Sequence, residues 1–282
     1  MSVITRFAPS PTGRLHPGHA LSAIRAHDFA RAGGGHFLLR IEDIDGTRSR
    51  AEHVETILTD LSWLGLSWDG PVTFQSHRLP LYDAALDRLR AKGLLYPCFC
   101  TRADIAASLS APHGPEGAVY PGTCRTLTAP DLTRPHCWRL DMAKAIAATQ
   151  SEPLTFTDST RGTIHAGPAA QGDVVLARKD APASYHLAVT VDDAAQGVTD
   201  IVRGDDLFDA THVHRLLQAL LDLPVPRYHH HPLLHGPDGK RLAKRHNAPT
   251  LTALREAGQD GPALADALRR GELPVGIAAA NA

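Results

Sequence analysis

The chain is poor in aromatic residues, 5% of 282, and it holds only four cysteines. Four thiols in a chain of this length exclude a dense disulfide framework, and their clustering leaves a metal site or a chance grouping of thiols. No uninterrupted run approaches the ~20 apolar residues of a membrane span. The start MSVITRFAPS lacks the basic and then apolar stretches of a secretory signal, so the expectation is a cytoplasmic protein. An excess of either charge is missing too. Lys and Arg number 29 against 30 Asp and Glu, a formal net charge of −1, so any nucleic-acid contact would have to come from a local basic face. Internal repeats, low-complexity tracts and long charge runs are absent. What is there is 43% hydrophobic content and length enough for roughly two domains at ~100 to 200 residues each.

Apolar and glycine patterns predict alternating strands and helices. VITRF reads as a first strand, Gly18 to Ala32 as a helix and HFLLRI as a second strand, together a βαβ unit. Val54, Ile57, Leu58, Leu61 and Leu64 recur at helical spacing, and Leu81, Ala85, Leu86 and Leu89 repeat it before Gly93 supplies a stop. Such alternation argues for a parallel sheet. Residues 98–170 hold all four cysteines, many prolines and glycines, and short strand-like pieces such as HCWRLDM and RGTIHAG, which reads as an inserted subdomain. Sheet-like segments resume at DVVLARKD and SYHLAVTVDD, a helix follows over Val213 to Leu221, and YHHHPLL reads as a final strand.

In a parallel sheet the ligand crevice lies at the carboxyl ends of the strands, where the loop after the first strand faces it. Here that loop is RFAPSPTGRLHPGH. Pro17 suits a first helical turn, Gly18 permits close approach of the backbone, and the helix N-terminus favours a phosphate. His16 and His19 project from the same turn and could donate to phosphate oxygens. An isolated H-x-x-H is more often two polar residues on a solvated turn, so the pair alone carries little. Far away in sequence, GPDGKRLAKRHNAPT places Lys240, Arg241, Lys244 and Arg245 on a glycine-containing loop, a pattern that suits a triphosphate as readily as it suits a solvated face.

Taken together the two segments resemble the class I glutamyl-tRNA synthetases. HPGH at 16–19 resembles the family's HIGH signature and RLAKR at 241–245 its KMSKS loop, with IEDID between them. The resemblance runs from about residue 3 to about 250 and implies an α/β fold: a Rossmann-like parallel sheet of residues 1–97 and 171–249, an inserted zinc-binding subdomain at 98–170 and a short helical tail at 250–282 without an anticodon-binding domain. IEDIDGTR, the C-x-C and Y-x-x-x-C spacings, SYHLAVTVDDAAQGVTDIVRGDDL and HNAP are similar to the short subfamily that modifies queuosine in tRNA(Asp).

The resemblance implies activation of L-glutamate by ATP with Mg²⁺, and transfer of the glutamyl group to queuosine in the anticodon of tRNA(Asp); a monomer is the expectation for the chain. A single-stranded loop lets a nucleoside be splayed out and read at its edges. Two alternatives stand beside this: a short synthetase that charges a tRNA 3′ end, and a paralogue without transfer activity. By resemblance, Arg6 and Arg203 bind the two glutamate carboxylates and Glu42 the ammonium. Tyr185 closes the pocket, and Phe7, Ala8, Pro9 and Ser10 form its wall. His16, His19 and Lys244 serve catalysis, and with Gly18 and Arg241 they hold ATP. Ala243 stands where the family loop has Ser.

Cys98, Cys100, Tyr120 and Cys124 resemble the subfamily's zinc ligands, and three thiolates with one further donor suit a tetrahedral structural site. Buried or free thiols are the plain alternative, and Cys137, His113 and His136 compete for the fourth position. In YHHHPLLHG, strand alternation puts His229 and His231 on one face and His230 on the other, which predicts a sheet edge beside the nucleotide pocket rather than a second metal site.

Overall fold

A computed structural model describes residues 2–107, 119–149, 153–234 and 249–272. The first βαβ unit comprises β1 (Ile4–Phe7), α1 (Pro17–Ala32) and β2 (His36–Ile41). Strand β1 pairs with β2 in parallel, Ile4 opposite His36, and β2 pairs with the short β3 (Thr73–Phe74). Between them lies α2 (Ala51–Trp63), whose Ile57 and Leu61 are fully buried. Helix α1 buries Ala20, Leu21, Ala23, Ile24 and Ala26 against this sheet, and its small residues let the backbone approach closely. At the turn into β2 a side chain is impossible: a Cβ on Gly35 would stand 1.9 Å from the Val3 carbonyl oxygen.

The chain then runs through α3 (Leu79–Ala91), β4 (Leu95–Cys98) and α4 (Arg102–Ala107) to β5 (Cys137–Leu140) and α5 (Met142–Ala147). In α3 the inward residue is Tyr82, fully buried, while Leu81 is 43% exposed, a correction to the predicted apolar face. A hairpin of β6 (Thr155–Asp158) and β7 (Gly162–His165) precedes β8 (Val175–Ala177), and β4, β5 and β8 make a small antiparallel sheet.

SYHLAVTVDD is helical, contrary to the strand expectation: it begins α6 (Tyr185–Ala195). Its β-branched Val189, Thr190 and Val191 favour strands locally. The element is nonetheless buried from Leu187 to Asp193, and with both apolar and acidic residues inside, no polar stripe betrays the helical period. After it come β9 (Asp200–Gly204), α7 (Phe208–Leu220), β10 (Arg227–His231), α8 (Leu251–Glu256) and α9 (Gly261–Arg269).

The His-rich strand β10 is no sheet edge either. It lies between β9 and β6, parallel to both. The expectation failed because the covering strand comes from residues 155–158, about seventy positions earlier in the chain. Alternation of its histidines does hold: His229 and His231 meet Phe29 and Ser22 of α1, and His230 turns the other way, to Asp158. Thr199 joins the two parallel sets, since its N–H donates to the Ile4 carbonyl at 3.0 Å and its hydroxyl accepts from the Ile4 N–H at 2.9 Å.

Candidate active site

At the carboxyl ends of β1, β2 and β9 a cavity of about 390 Å³ opens between α1 and α6, within the range of small-molecule sites. Arg6, Phe7, Ala8, Pro9 and Ser10 line it from β1 and the following loop. His16, Gly18 and His19 enter from α1, Glu42 from the end of β2, Tyr185 from the start of α6 and Arg203 from β9. Lys244, Arg241 and Ala243 lie outside the described residues.

The two histidines form a reciprocal cap on α1. The Gly18 N–H donates to His16 Nδ1 at 3.1 Å, and the His16 N–H donates to His19 Nδ1 at 3.2 Å. Imidazole here does the work that Ser and Glu do in the usual capping box. Because both Nδ1 atoms accept, each neutral ring carries its hydrogen on Nε2. The rings lie 3.7 Å apart, so the cap delivers two donors to one wall of the cavity.

Behind the cavity lies a buried charge network that the sequence did not reveal. Arg6 donates through Nε and Nη2 to the two oxygens of Asp193 at 2.9 and 3.2 Å. Arg40, fully buried, donates to Asp193 at 2.8 Å and to Gln196 at 2.7 Å. Burial opposes the Asp193 charge, yet Arg6 and Arg40 hold its carboxyl below the usual range. The neighbouring Asp192 accepts from Gln75, Arg78 and Tyr82. Only the Asp-Asp doublet in VTVDD hinted at this network, and a solvated helix end would look the same.

Glu42 differs from these acids. Among the described residues its closest cation is Arg40 Nη2 at 3.5 Å, and burial raises its pKa to about 7 in spite of Arg40 and Arg6. Arg203, only 4% exposed, donates from Nε to His230 Nε2 at 3.1 Å and from Nη2 to Thr211 at 2.6 Å, while Nη1 reaches the Tyr185 hydroxyl at 3.3 Å. His214, pressed by burial and by Arg203, stays neutral well below its ordinary value. The cavity thus presents two fixed guanidiniums, a carboxylate with a raised pKa and two imidazole donors. This set complements a small ligand bearing two anions and one cation.

Some distance along the chain, Cys98, Cys100 and Cys124 bring their sulfurs within 4.8 Å of one another. The Tyr120 hydroxyl lies 3.3 Å from Cys98 Sγ and 3.6 Å from Cys100 Sγ, and the Cys100 and Cys124 sulfurs are 3.5 Å apart. Tetrahedral bonds of ~2.3 Å give edges of about 3.8 Å, so three thiols and a phenol at these spacings fit zinc. Arg139 places its guanidinium 3.8 Å over the Tyr120 ring, a positive charge beside an anionic donor set. Cys137 stands opposite Cys98 across the β4–β5 ladder and outside the three-sulfur group. His136 Nδ1 is held by the Arg134 carbonyl at 2.8 Å, and His113 lies outside the described residues.

Residues 2–278 match the family model for class I tRNA synthetases (E and Q), catalytic domain. The chain is 52% identical to a glutamyl-Q tRNA(Asp) synthetase of Rhodobacter capsulatus, covering 91% of this chain and 96% of that one. It is 49% identical to its counterpart in Symbiobacterium thermophilum, covering 90% and 81%. It also resembles the crystal structure of a glutamate tRNA ligase from Elizabethkingia meningosepticum in complex with its amino acid, with a TM-score of 0.73 at 28% identity over 87% of this chain. Of that ligase the chain spans 52%, about half its length. The chain belongs to the class I tRNA synthetase (E and Q) family, and within it to the glutamyl-Q tRNA(Asp) synthetases. It is therefore a ligase. Among the described residues no helix is long and apolar enough to cross a membrane.

Proposed function

We propose that this enzyme activates L-glutamate with ATP and transfers the glutamyl group to queuosine in the anticodon of tRNA(Asp). The observation that carries the amino-acid half is the pairing of Arg6 and Arg203 with Glu42 around one cavity. Guanidinium forks suit carboxylates, and a buried carboxylate suits an ammonium. Arg6 takes the side-chain carboxylate, Arg203 the α-carboxylate and Glu42 the α-ammonium, with Tyr185 across the mouth. In the first step an α-carboxylate oxygen attacks the α-phosphorus in line, the bond to pyrophosphate breaks, and glutamyl-adenylate forms. Catalysis there is positioning and charge stabilisation. The Nε2 hydrogens of His16 and His19 donate to phosphate oxygens above the α1 N-terminus, Lys244 and Arg241 neutralise the departing pyrophosphate, and Mg²⁺ enters with the nucleotide. In the second step a hydroxyl of the queuosine cyclopentenediol attacks the glutamyl carbonyl, an ester forms, and AMP leaves.

The queuosine half rests on the likeness to glutamyl-Q tRNA(Asp) synthetases, over 96% of the Rhodobacter capsulatus protein and 81% of the Symbiobacterium thermophilum one. Zinc bound by Cys98, Cys100, Tyr120 and Cys124 staples a region whose own apolar cluster is small. Transfer of labelled glutamate to tRNA from queuosine-containing and queuosine-lacking cells tests the whole reading. Label confined to the modified pool is expected. Equal labelling of both pools, removed by periodate pretreatment of the tRNA, would point to 3′ charging, and no labelling of either to a paralogue without transfer activity.

A further inference from the structure

We propose that Asp158 is a positioning residue for Arg203, acting through His230. This deepens the reading above, since it rests on Arg203 as a carboxylate ligand. Asp158 is 1% exposed at the end of β6, and His230 lies on β10 behind the cavity without lining it. The two are joined by a 2.7 Å contact between His230 Nδ1 and Asp158 Oδ2. Arg203 Nε can only donate, and its partner at 3.1 Å is His230 Nε2. That nitrogen must therefore carry no hydrogen, so the ring hydrogen sits on Nδ1 and is donated to Asp158. The carboxylate selects the tautomer, and the tautomer supplies the acceptor that fixes Arg203. Burial and the Arg203 charge hold the His230 pKa at about 4, so the ring stays neutral and its lone pair available. Thr211, accepting from Arg203 Nη2 at 2.6 Å, braces the other side of the fork.

An isosteric change exposes the relay. Asp158 Oδ1 accepts from the Thr160 N–H, the Thr160 hydroxyl and the Arg161 N–H, at 3.0, 2.6 and 3.1 Å. In Asp158→Asn the single amide oxygen stays with those three donors, and the amide NH₂ faces His230, both its ring and the backbone N–H that donates to Oδ2 at 3.3 Å in the wild type. The ring must then accept at Nδ1 and carry its hydrogen on Nε2, which points a donor at the Arg203 Nε–H. Arg203 loses its fixed partner without any change of volume.

The experiment is ATP–pyrophosphate exchange with glutamate titrated at saturating ATP, on Asp158→Asn, His230→Leu, the double variant and Arg203→Lys. Asp158→Asn should raise the glutamate KM about tenfold or more, as for loss of a hydrogen bond to a charged group. kcat and the ATP KM should stay near wild type. His230→Leu should match it, and the double variant should be no worse than either single, because both remove the same bond. Thr160→Ala, which touches only the far oxygen, should lower Tm and leave the glutamate KM alone. If Arg203→Lys raises the glutamate KM while Asp158→Asn does not, or if Asp158→Asn raises the ATP KM equally, the relay is overturned and the pocket reading stands. An unchanged glutamate KM in Arg203→Lys would overturn the pocket reading, and the relay with it.

Discussion

Glu42 should make glutamate binding depend on pH in a way that one substitution abolishes. To hold an ammonium the carboxyl must be ionised, and in the ligand-free protein burial lifts its pKa from 4.5 to about 7. If only the ionised form binds, the apparent glutamate KM is multiplied by one plus the ratio of protonated to ionised Glu42. That factor is about 11 at pH 6 and about 1.1 at pH 8, so KM should fall roughly tenfold across the interval. Stability carries the opposite mark. The folded state holds this proton more tightly than the unfolded chain, so the contribution of Glu42 is full below about pH 4.5 and is lost as pH rises through 7. The lost amount is on the order of 3 kcal/mol. Glu42→Gln needs no ionisation. It should raise the glutamate KM by at least about thirtyfold, as for a broken buried charge pair, flatten its pH dependence between 6 and 8, and raise the ligand-free Tm at pH 8 more than at pH 5. Initial rates of ATP–pyrophosphate exchange and thermal melts across that range provide the check. A wild-type glutamate KM that is level from pH 6 to 8, or a Glu42→Gln variant with the wild-type KM, would refute the reasoning.

Arg6→Lys cannot reproduce the two-point contact with Asp193, so it should raise the glutamate KM about tenfold or more and leave the ATP KM unchanged; exchange kinetics decide this. Metal analysis of the purified protein should find one zinc per chain. Tyr120→Phe should weaken zinc at least as much as the roughly ten- to hundredfold that loss of an outer partner costs, read by competition with a chromogenic chelator. Gly35→Ala drives a Cβ into the Val3 carbonyl and should cost about 1 to 3 kcal/mol in denaturant unfolding, whereas Gly46→Ala, with nothing within 4 Å, should be near neutral.

The parts of the fold that could be read from the sequence are those whose cause is local. Pro17, Gly18 and the apolar spacing of α1 mark a helix start, and HFLLRI between glycines and acids marks a strand, because capping and periodicity act over a few residues. Helix α6 was misread because its environment is supplied from elsewhere: Asp192 and Asp193 are inside only because Arg6, Arg40, Gln75, Arg78 and Tyr82 surround them, from 110 to 187 positions away. The histidine strand was misplaced for the same reason, since β6 covers it. Resemblance to the family's motifs singled out Arg6, Glu42, Tyr185 and Arg203, which do share one cavity, but nothing local in the chain tied Asp193, Arg40, Asp158 and His230 to the space behind them.

The seam where Thr199 meets Ile4 sets an order of events during synthesis. Its partners are 195 positions apart, so the sheet cannot close until Thr199 as well as Ile4 has left the ribosome. Arg6 waits for Asp193 and for β9 through all of that time, with its charge in water. The cavity cannot form before then, and no nascent chain that stops short of Arg203 holds it. A ligand that binds only the closed pocket draws the folding equilibrium toward the finished protein. Glutamate, the substrate proposed above, would then act on this chain twice, in the reaction and as the small molecule that favours the completed fold.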